Sequence, residues 1–257
     1  MRIIGFGHVL FALAVAGLGL LSLGSGDFAL NWQPVPAWLP ARAPLAYLSG
    51  AILLIGGLAI LLRPTARLAS LALTVNFFAW LVLLQIPRVV AGWSHAGAWL
   101  GFGETSVLVA GAWAILATLQ DAKRGLRLAR LLFGVALPLI GLSHFVYLKE
   151  TVALIPAYIP DPAAFAYFTG AAHIAAGFAV LFPLLPRLAA TLEAAMMGFF
   201  ALLVWAPRVA VHPTSRFEWT ALLISIALSA GAEAIAESYS NQPWLLRRPT
   251  SENPLEA

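Results

Sequence analysis

The sequence predicts an all-α transmembrane fold of eight helices, arranged as two tandem four-helix bundles. Three observations predict it. Of the 257 residues, 61% are hydrophobic and only 10% charged, against roughly 25% charged in soluble domains. Eight apolar runs of about 18 to 23 residues follow one another, each long enough at about 1.5 Å per residue to cross a hydrocarbon layer of about 30 Å. The chain also repeats itself. A shift of 120 residues, without a gap, places Pro36 on Pro156, Tyr47 on Tyr167, Gly50 on Gly170, Gly57 on Gly177 and Arg67 on Arg187. The same shift places Pro87-Arg88-Val89 on Pro207-Arg208-Val209, Trp99 on Trp219 and Gly111 on Gly231. One offset that serves spans and loops alike marks a tandem duplication.

The spans fall near Ile3 to Leu23, Leu45 to Leu62, Leu68 to Ile86, Trp99 to Leu119, Leu131 to Leu148, Phe165 to Phe182, Leu188 to Ala206 and Trp219 to Glu237. They are helices because lipid offers no partner to backbone N–H and C=O groups, and no alternating barrel pattern occurs. Met1-Arg2 and the first run lack an A-x-A cleavage pattern and read as a span rather than a signal peptide. The repeats are 1–120 and 121–241, followed by a cytoplasmic tail, 242–257. Ten Lys and Arg residues fall on the side of the N-terminus and five on the other, which predicts both termini inside. With four spans each, the halves enter the membrane in the same direction, related by an axis along its normal.

Two Pro-rich segments, Gln33 to Pro44 and Ile155 to Pro162, sit at equivalent places on the outer side. Proline fixes φ and removes a donor, so neither extends a helix. They read as interfacial caps, with a lid over a ligand as the alternative. Trp32, Trp38, Trp93, Trp99, Trp205 and Trp219 gather at the same face, as an aromatic belt does.

The absence of cysteine excludes disulfides, thiolate metal sites, iron-sulfur clusters and c-type haem. The net charge of +4 resides in short loops and is a topology signal, so the partner is the lipid bilayer and not nucleic acid. No HExxH, Walker A, GxSxG or dinucleotide motif occurs in the required context. No catalytic residue and no metal ligand is assigned.

The informative residues are polar groups in or beside spans, where a central charge costs about 2.5 to 3.5 kcal/mol. Glu104 is expected toward the outer end of the fourth span, within reach of Arg88. Glu193 is expected toward the inner end of the seventh, near Arg187, so the two acids are not expected to share a site. His144 lies near the outer end of the fifth span and His173 near the middle of the sixth. Their depths differ by about 9 Å at 1.5 Å per residue, poor geometry for two axial ligands of one haem. His8, His95 and His212 read as incidental. Arg88 and Arg208 occupy equivalent outer ends, where a guanidinium can hold a carboxylate, a phosphate or a quinone carbonyl. The candidate ligand-binding residues are therefore Arg208, His144, His173, Arg88, Glu104 and Glu150, centred on the outer mouth of the second half. Only the second copy carries a histidine at 173; the first has Leu53.

Gly141, His144 and Phe145, the run Ile155 to Pro160, Thr169-Gly170 with Gly177 seven residues on, Arg187 to Ala189, and Pro207 together resemble the DoxX and DoxX-like family of small four-helix bacterial membrane proteins. The resemblance covers most of the second half, and the repeat extends it to the first. Two places depart from the family pattern: His173 stands where an acidic residue is common, and Arg208-Val209 where Ala-Asn follows the proline. The resemblance implies a multi-pass protein of the bacterial cytoplasmic (inner) membrane, allied to redox systems such as thiosulfate:quinone oxidoreduction. It would have no activity on its own, would bind a lipophilic molecule such as a quinone, and would act with a redox partner protein. A small-molecule transporter or binding protein, which parallel repeats also suit, and a scaffold subunit of a membrane complex are the alternatives.

Overall fold

The computed structural model describes residues 5–245. Among them, eight helices are long and apolar enough to cross a membrane, and the chain is a multi-pass membrane protein. The helices are α1 (Phe6–Ser25), α2 (Arg42–Ile60), α3 (Ala66–Ala91), α4 (Ala96–Leu119), α5 (Lys123–Val146), the short α6 (Leu148–Leu154), α7 (Pro162–Leu181), α8 (Pro186–Val211) and α9 (Arg216–Ser238). All but α6 are the spans. The repeat boundary at residue 120 falls in the turn between α4 and α5. Most of the expected tail, 246–257, lies outside the described residues.

Three helix boundaries differ from the hydropathy reading. α5 begins at Lys123 rather than Leu131, because Arg130 continues the helix while turning its charge onto its neighbour. Its Nε donates to Ser238 Oγ at 2.9 Å and its guanidinium lies 3.8 Å from the Tyr239 ring centre. α3 and α8 run on past Pro87 and Pro207 to Ala91 and Val211. Each contains one π turn, Leu81–Gln85 and Ala201–Trp205, offset by the same 120 residues. A proline clashes with the carbonyl four residues earlier and donates no hydrogen bond; a widened turn accommodates both defects without ending the helix.

The helices form a ring in the order α1, α2, α3, α4, α5, α7, α8, α9 and back to α1, with α4 and α9 also packed on each other across the middle. Rather than two self-contained four-helix bundles, the halves make two lobes that share α4 and α9. The first helix of each half packs against the last helix of the other. Small residues permit this. In α4, 78% of the most apolar stretch is buried, against 28% in α8. At the α4–α9 crossing the equivalent glycines Gly111 and Gly231 meet: a Cβ on Gly111 would stand 2.6 Å from the Gly231 Cα, whereas one on Gly231 would find ordinary contacts of 3.4 Å. Between helices in lipid no hydrophobic transfer drives association, so such close approach carries the packing.

At the α6 end of the molecule, Asp27 ties the halves together. It accepts from Arg42, at the start of α2, and from Arg216 at 3.3 Å, at the start of α9. Arg216 also donates to the Phe28 carbonyl. Burial pushes the Asp27 carboxyl up, but the Phe28 N–H and the two guanidiniums outweigh it and hold the group below the ordinary carboxylate range. Trp32, expected in an interfacial belt, instead turns inward and stacks on Phe217 at 6.2 Å, because the short helical turn Leu30–Trp32 tucks it between the lobes. Trp38 and Trp93 are exposed, as the belt requires.

Two outcomes follow from this packing. Gly111→Ala lowers the thermal midpoint in detergent by the equivalent of about 1–3 kcal/mol, while Gly231→Ala leaves it nearly unchanged; equal effects would contradict the geometry. Because the folded-state Asp27 pKa is depressed, its network stabilises the protein above the unfolded value of about 3.9, and that contribution disappears as pH falls through the lower folded value. Asp27→Asn therefore lowers the melting temperature at pH 7, and the difference from wild type vanishes in acid.

Candidate functional site

The second lobe encloses a cavity of about 390 Å³ walled by α4, α5, α7, α8 and α9 and closed at one end by α6. Its position follows from how the two copies diverged. Where the second copy has Met197 and Phe200, the first has Phe77 and Trp80, both buried and packed edge to face at 5.2 Å. The larger pair occupies the equivalent place in the first lobe; the smaller pair leaves space in the second.

Two histidines reach this cavity. The helix register separates them along the axis, yet their rings touch edge to face with centroids 5.1 Å apart. Counting residues alone overstates their separation, because side chains on a helix lean toward its N-terminus. α5 and α7 are antiparallel, so His144 leans down its helix and His173 leans up, and the tilt closes the gap. Gly141 and Gly170 let the two helices approach: a Cβ on Gly170 would come within 2.8 Å of the His144 Cβ. The rings are in direct contact, which leaves no room for a haem plane between them.

Each imidazole is held by a partner. Thr169 Oγ1 donates to the Phe165 or Ala166 carbonyl, at 3.1 and 3.0 Å, so its oxygen is left to accept from His144 Nδ1 at 2.9 Å. His173 Nδ1 lies 2.6 Å from Glu193 Oε1, with side chains 1% and 0% exposed. This corrects the sequence reading of Glu193, which pairs with neither Arg187 nor solvent. His173 stands eight residues before the end of α7 and Glu193 seven after the start of α8, so the tight turn between them brings the two level. In the first copy the same positions are Leu53 and Leu73, both 0% exposed. An ionisable pair has thus replaced, or been replaced by, an apolar pair at one site of a duplicated fold. His173 Nε2 and Glu193 Oε2 have no hydrogen-bond partner among the described residues.

Of the other expected residues, Glu104 on α4 and Glu150 on α6 also line the cavity. Glu104 therefore shares the cavity with His173, whereas Glu193 lies behind His173 and does not line it. Arg88 and Arg208 do not line it. Arg208 is drawn to Glu218, with Nε 3.4 Å from Oε1, and lies over Trp205; Arg88 faces Gly101 and Gln85, and no ion pair joins it to Glu104 among the described residues. His95 and His212 are exposed, but His8 is buried, with Nδ1 3.5 Å from Glu237. Sequence reasoning missed Glu193, Thr169 and Phe200. The comparison that singled out His173 against Leu53 finds Glu193 as well, since it stands against Leu73.

A second hollow, of about 700 Å³, runs between α7 and α8 on the outside of the lobe. It is floored by Ala172, Ala175, Ala176 and Ala179 on α7 and flanked by Leu192 and Met196 on α8. Ile52 and Ile55 stand at the first copy's equivalents of Ala172 and Ala175, so smaller side chains open this groove too. Phe165, Thr169 and Phe200 border both spaces, and Glu193 reaches the groove while His173 reaches the cavity.

The chain is similar, over residues 133–236, to a family model described as a domain of unknown function, DUF8561. That stretch holds the cavity's α5, α7, α8 and α9 walls together with both histidines and Glu193. No curated protein and no solved structure matches the chain.

The buried pair gives a sharp stability test. Leu at either position alone leaves a buried ionisable group without its partner, a loss of about 3–5 kcal/mol. His173→Leu/Glu193→Leu restores the arrangement that the first lobe already holds. The double variant is expected to melt near or above wild type and each single variant well below it; additive losses in thermal denaturation would rule out this coupling.

Proposed function

We propose that this cavity holds the head of a lipophilic, quinone-type molecule, and that the protein is a component of a redox- or quinone-linked membrane system without catalytic activity of its own. The observation that carries the reading is the pairing of two spaces. A partly open cavity bearing two histidines and two carboxylates adjoins, across Phe165, Thr169 and Phe200, an apolar groove that faces the hydrocarbon layer. A planar polar head suits the first, whose lining includes the His144 and Phe200 rings beside polar side chains. An isoprenoid or acyl tail suits the second. The resemblance of the second half to DoxX-like proteins supports the redox assignment, with a separate partner protein supplying electrons.

In the same reading both termini face the cytoplasm of a bacterial inner membrane, as the lysine and arginine count favours, and the chain is a fused DoxX-like pair in which one lobe keeps the site. The transporter alternative calls for a pathway along the axis that relates the halves. Gly111 and Gly231 pack against each other there, which favours the binding role.

Phe200→Trp, the residue that the first lobe carries as Trp80, is expected to fill the cavity without unfolding the protein. Solvent extraction and mass spectrometry of gently purified protein then find an isoprenoid quinone with wild type and none with the variant. Wild-type protein that carries no quinone and fails to bind an added short-chain benzoquinone would sink the proposal.

A further inference from the structure

We propose that Glu193 makes His173 Nε2–H the head-group donor of the cavity, so that the site anchors its ligand through an oxygen acceptor, a ring carbonyl. The carbonyl's identity rests on the quinone reading above; the polarity of the anchor rests on the pair itself.

Glu193 and His173 are buried together, and the ion pair they make with each other is the one Glu193 has among the described residues. A carboxylate accepting Nδ1–H from a neutral imidazole would leave one uncompensated negative charge in a site shut off from water, which is costly. Three arrangements carry no net charge: a carboxyl group donating to Nδ1, a carboxylate facing an imidazolium, and a carboxyl protonated on Oε2 whose Oε1 accepts Nδ1–H. The 2.6 Å contact is shorter than a neutral N–H···O=C bond, which leaves the first two, and both put a hydrogen on Nε2. That atom is buried and bonded to nothing among the described residues, and a buried donor without an acceptor is destabilising.

The rest of the lining offers little competition. His144 spends its Nδ1–H on Thr169, and no lysine or arginine lines the cavity among the described residues. Tyr147, beside α6, accepts from Gly97 N at 2.8 Å and keeps its O–H as the other donor, at the α6 end of the cavity. The His144 and Phe200 rings, whose centroids lie 5.1 and 6.0 Å from that of His173, flank the place where the carbonyl would accept from Nε2–H. Glu193 touches no ligand in this arrangement. It is a positioning residue, setting the proton on an atom it does not contact. Leu53 and Leu73 leave the first lobe without an equivalent donor.

Infrared difference spectroscopy tests this on the full chain in lipid nanodiscs, using a short-chain benzoquinone labelled with ¹³C at one carbonyl. One carbonyl stretch is expected to move to lower frequency on binding while the other stays near its free position. Glu193→Gln is expected to shrink that displacement and to weaken binding about fivefold. His173→Leu/Glu193→Leu, which reproduces the first lobe's pair, is expected to remain folded and to abolish the displacement. Binding with both carbonyls at their free frequencies, or a displacement that survives in the double variant or is unchanged by Glu193→Gln, overturns this inference alone. Failure of the probe to bind wild type overturns the quinone reading and this inference with it.

Discussion

Close contact between α4 and α9 is the constraint on which the arrangement depends. In water, burying leucine against leucine would hold eight helices together; in lipid, the solvent is as apolar as the side chains, and association falls to shape and polar contacts. Equivalent glycines at the centre of the two most buried helix stretches let their backbones meet. Once those helices are joined, α1 and α5 each find their place against the last helix of the other half. Asp27 ties the entrances of α2 and α9 at one end, and Arg130 ties α5 to the end of α9 at the other. Cutting the chain at the repeat boundary would therefore separate the sequence into halves without separating the structure.

The duplication provides a comparison that a single-copy protein lacks. Both lobes solve the same packing problem, so each difference between equivalent residues reads as a departure from an architecture known to be stable. Phe77 and Trp80 fill; Met197 and Phe200 leave room. Leu53 and Leu73 need nothing; His173 and Glu193 need each other and leave two polar atoms over. Polar burial of that kind does not improve a fold that leucine serves as well, so its presence points to use rather than to stability.

Much of the architecture was legible in the chain because hydropathy and repetition act over whole helices. Eight runs of apolar residues found eight helices, and the 120-residue offset recurs in the two π turns. Finer features depended on distances that counting does not capture. Hydropathy puts the start of α5 at Leu131 because arginines lower it, although Arg130 lies within the helix and against Tyr239. Residue number sets His144 and His173 apart along the axis, and the lean of their side chains brings them into contact. Sequence proximity points Glu193 toward the near cation, Arg187, and hides what a helical hairpin aligns. Arg88 and Arg208 drew attention by being repeated, yet it is the unrepeated residues that line the cavity.

The two π turns carry a further implication, one of history. Each adds a residue to the ladder at the same offset in both halves, so the wide turn and its proline belonged to the ancestral unit before it was copied. The histidine-glutamate pair occurs in one copy only, so the halves have parted at these two positions since they were copied, by gain in one lobe or loss in the other. The shared features are those both halves still need, and a related chain with one unit would show at two positions which state came first.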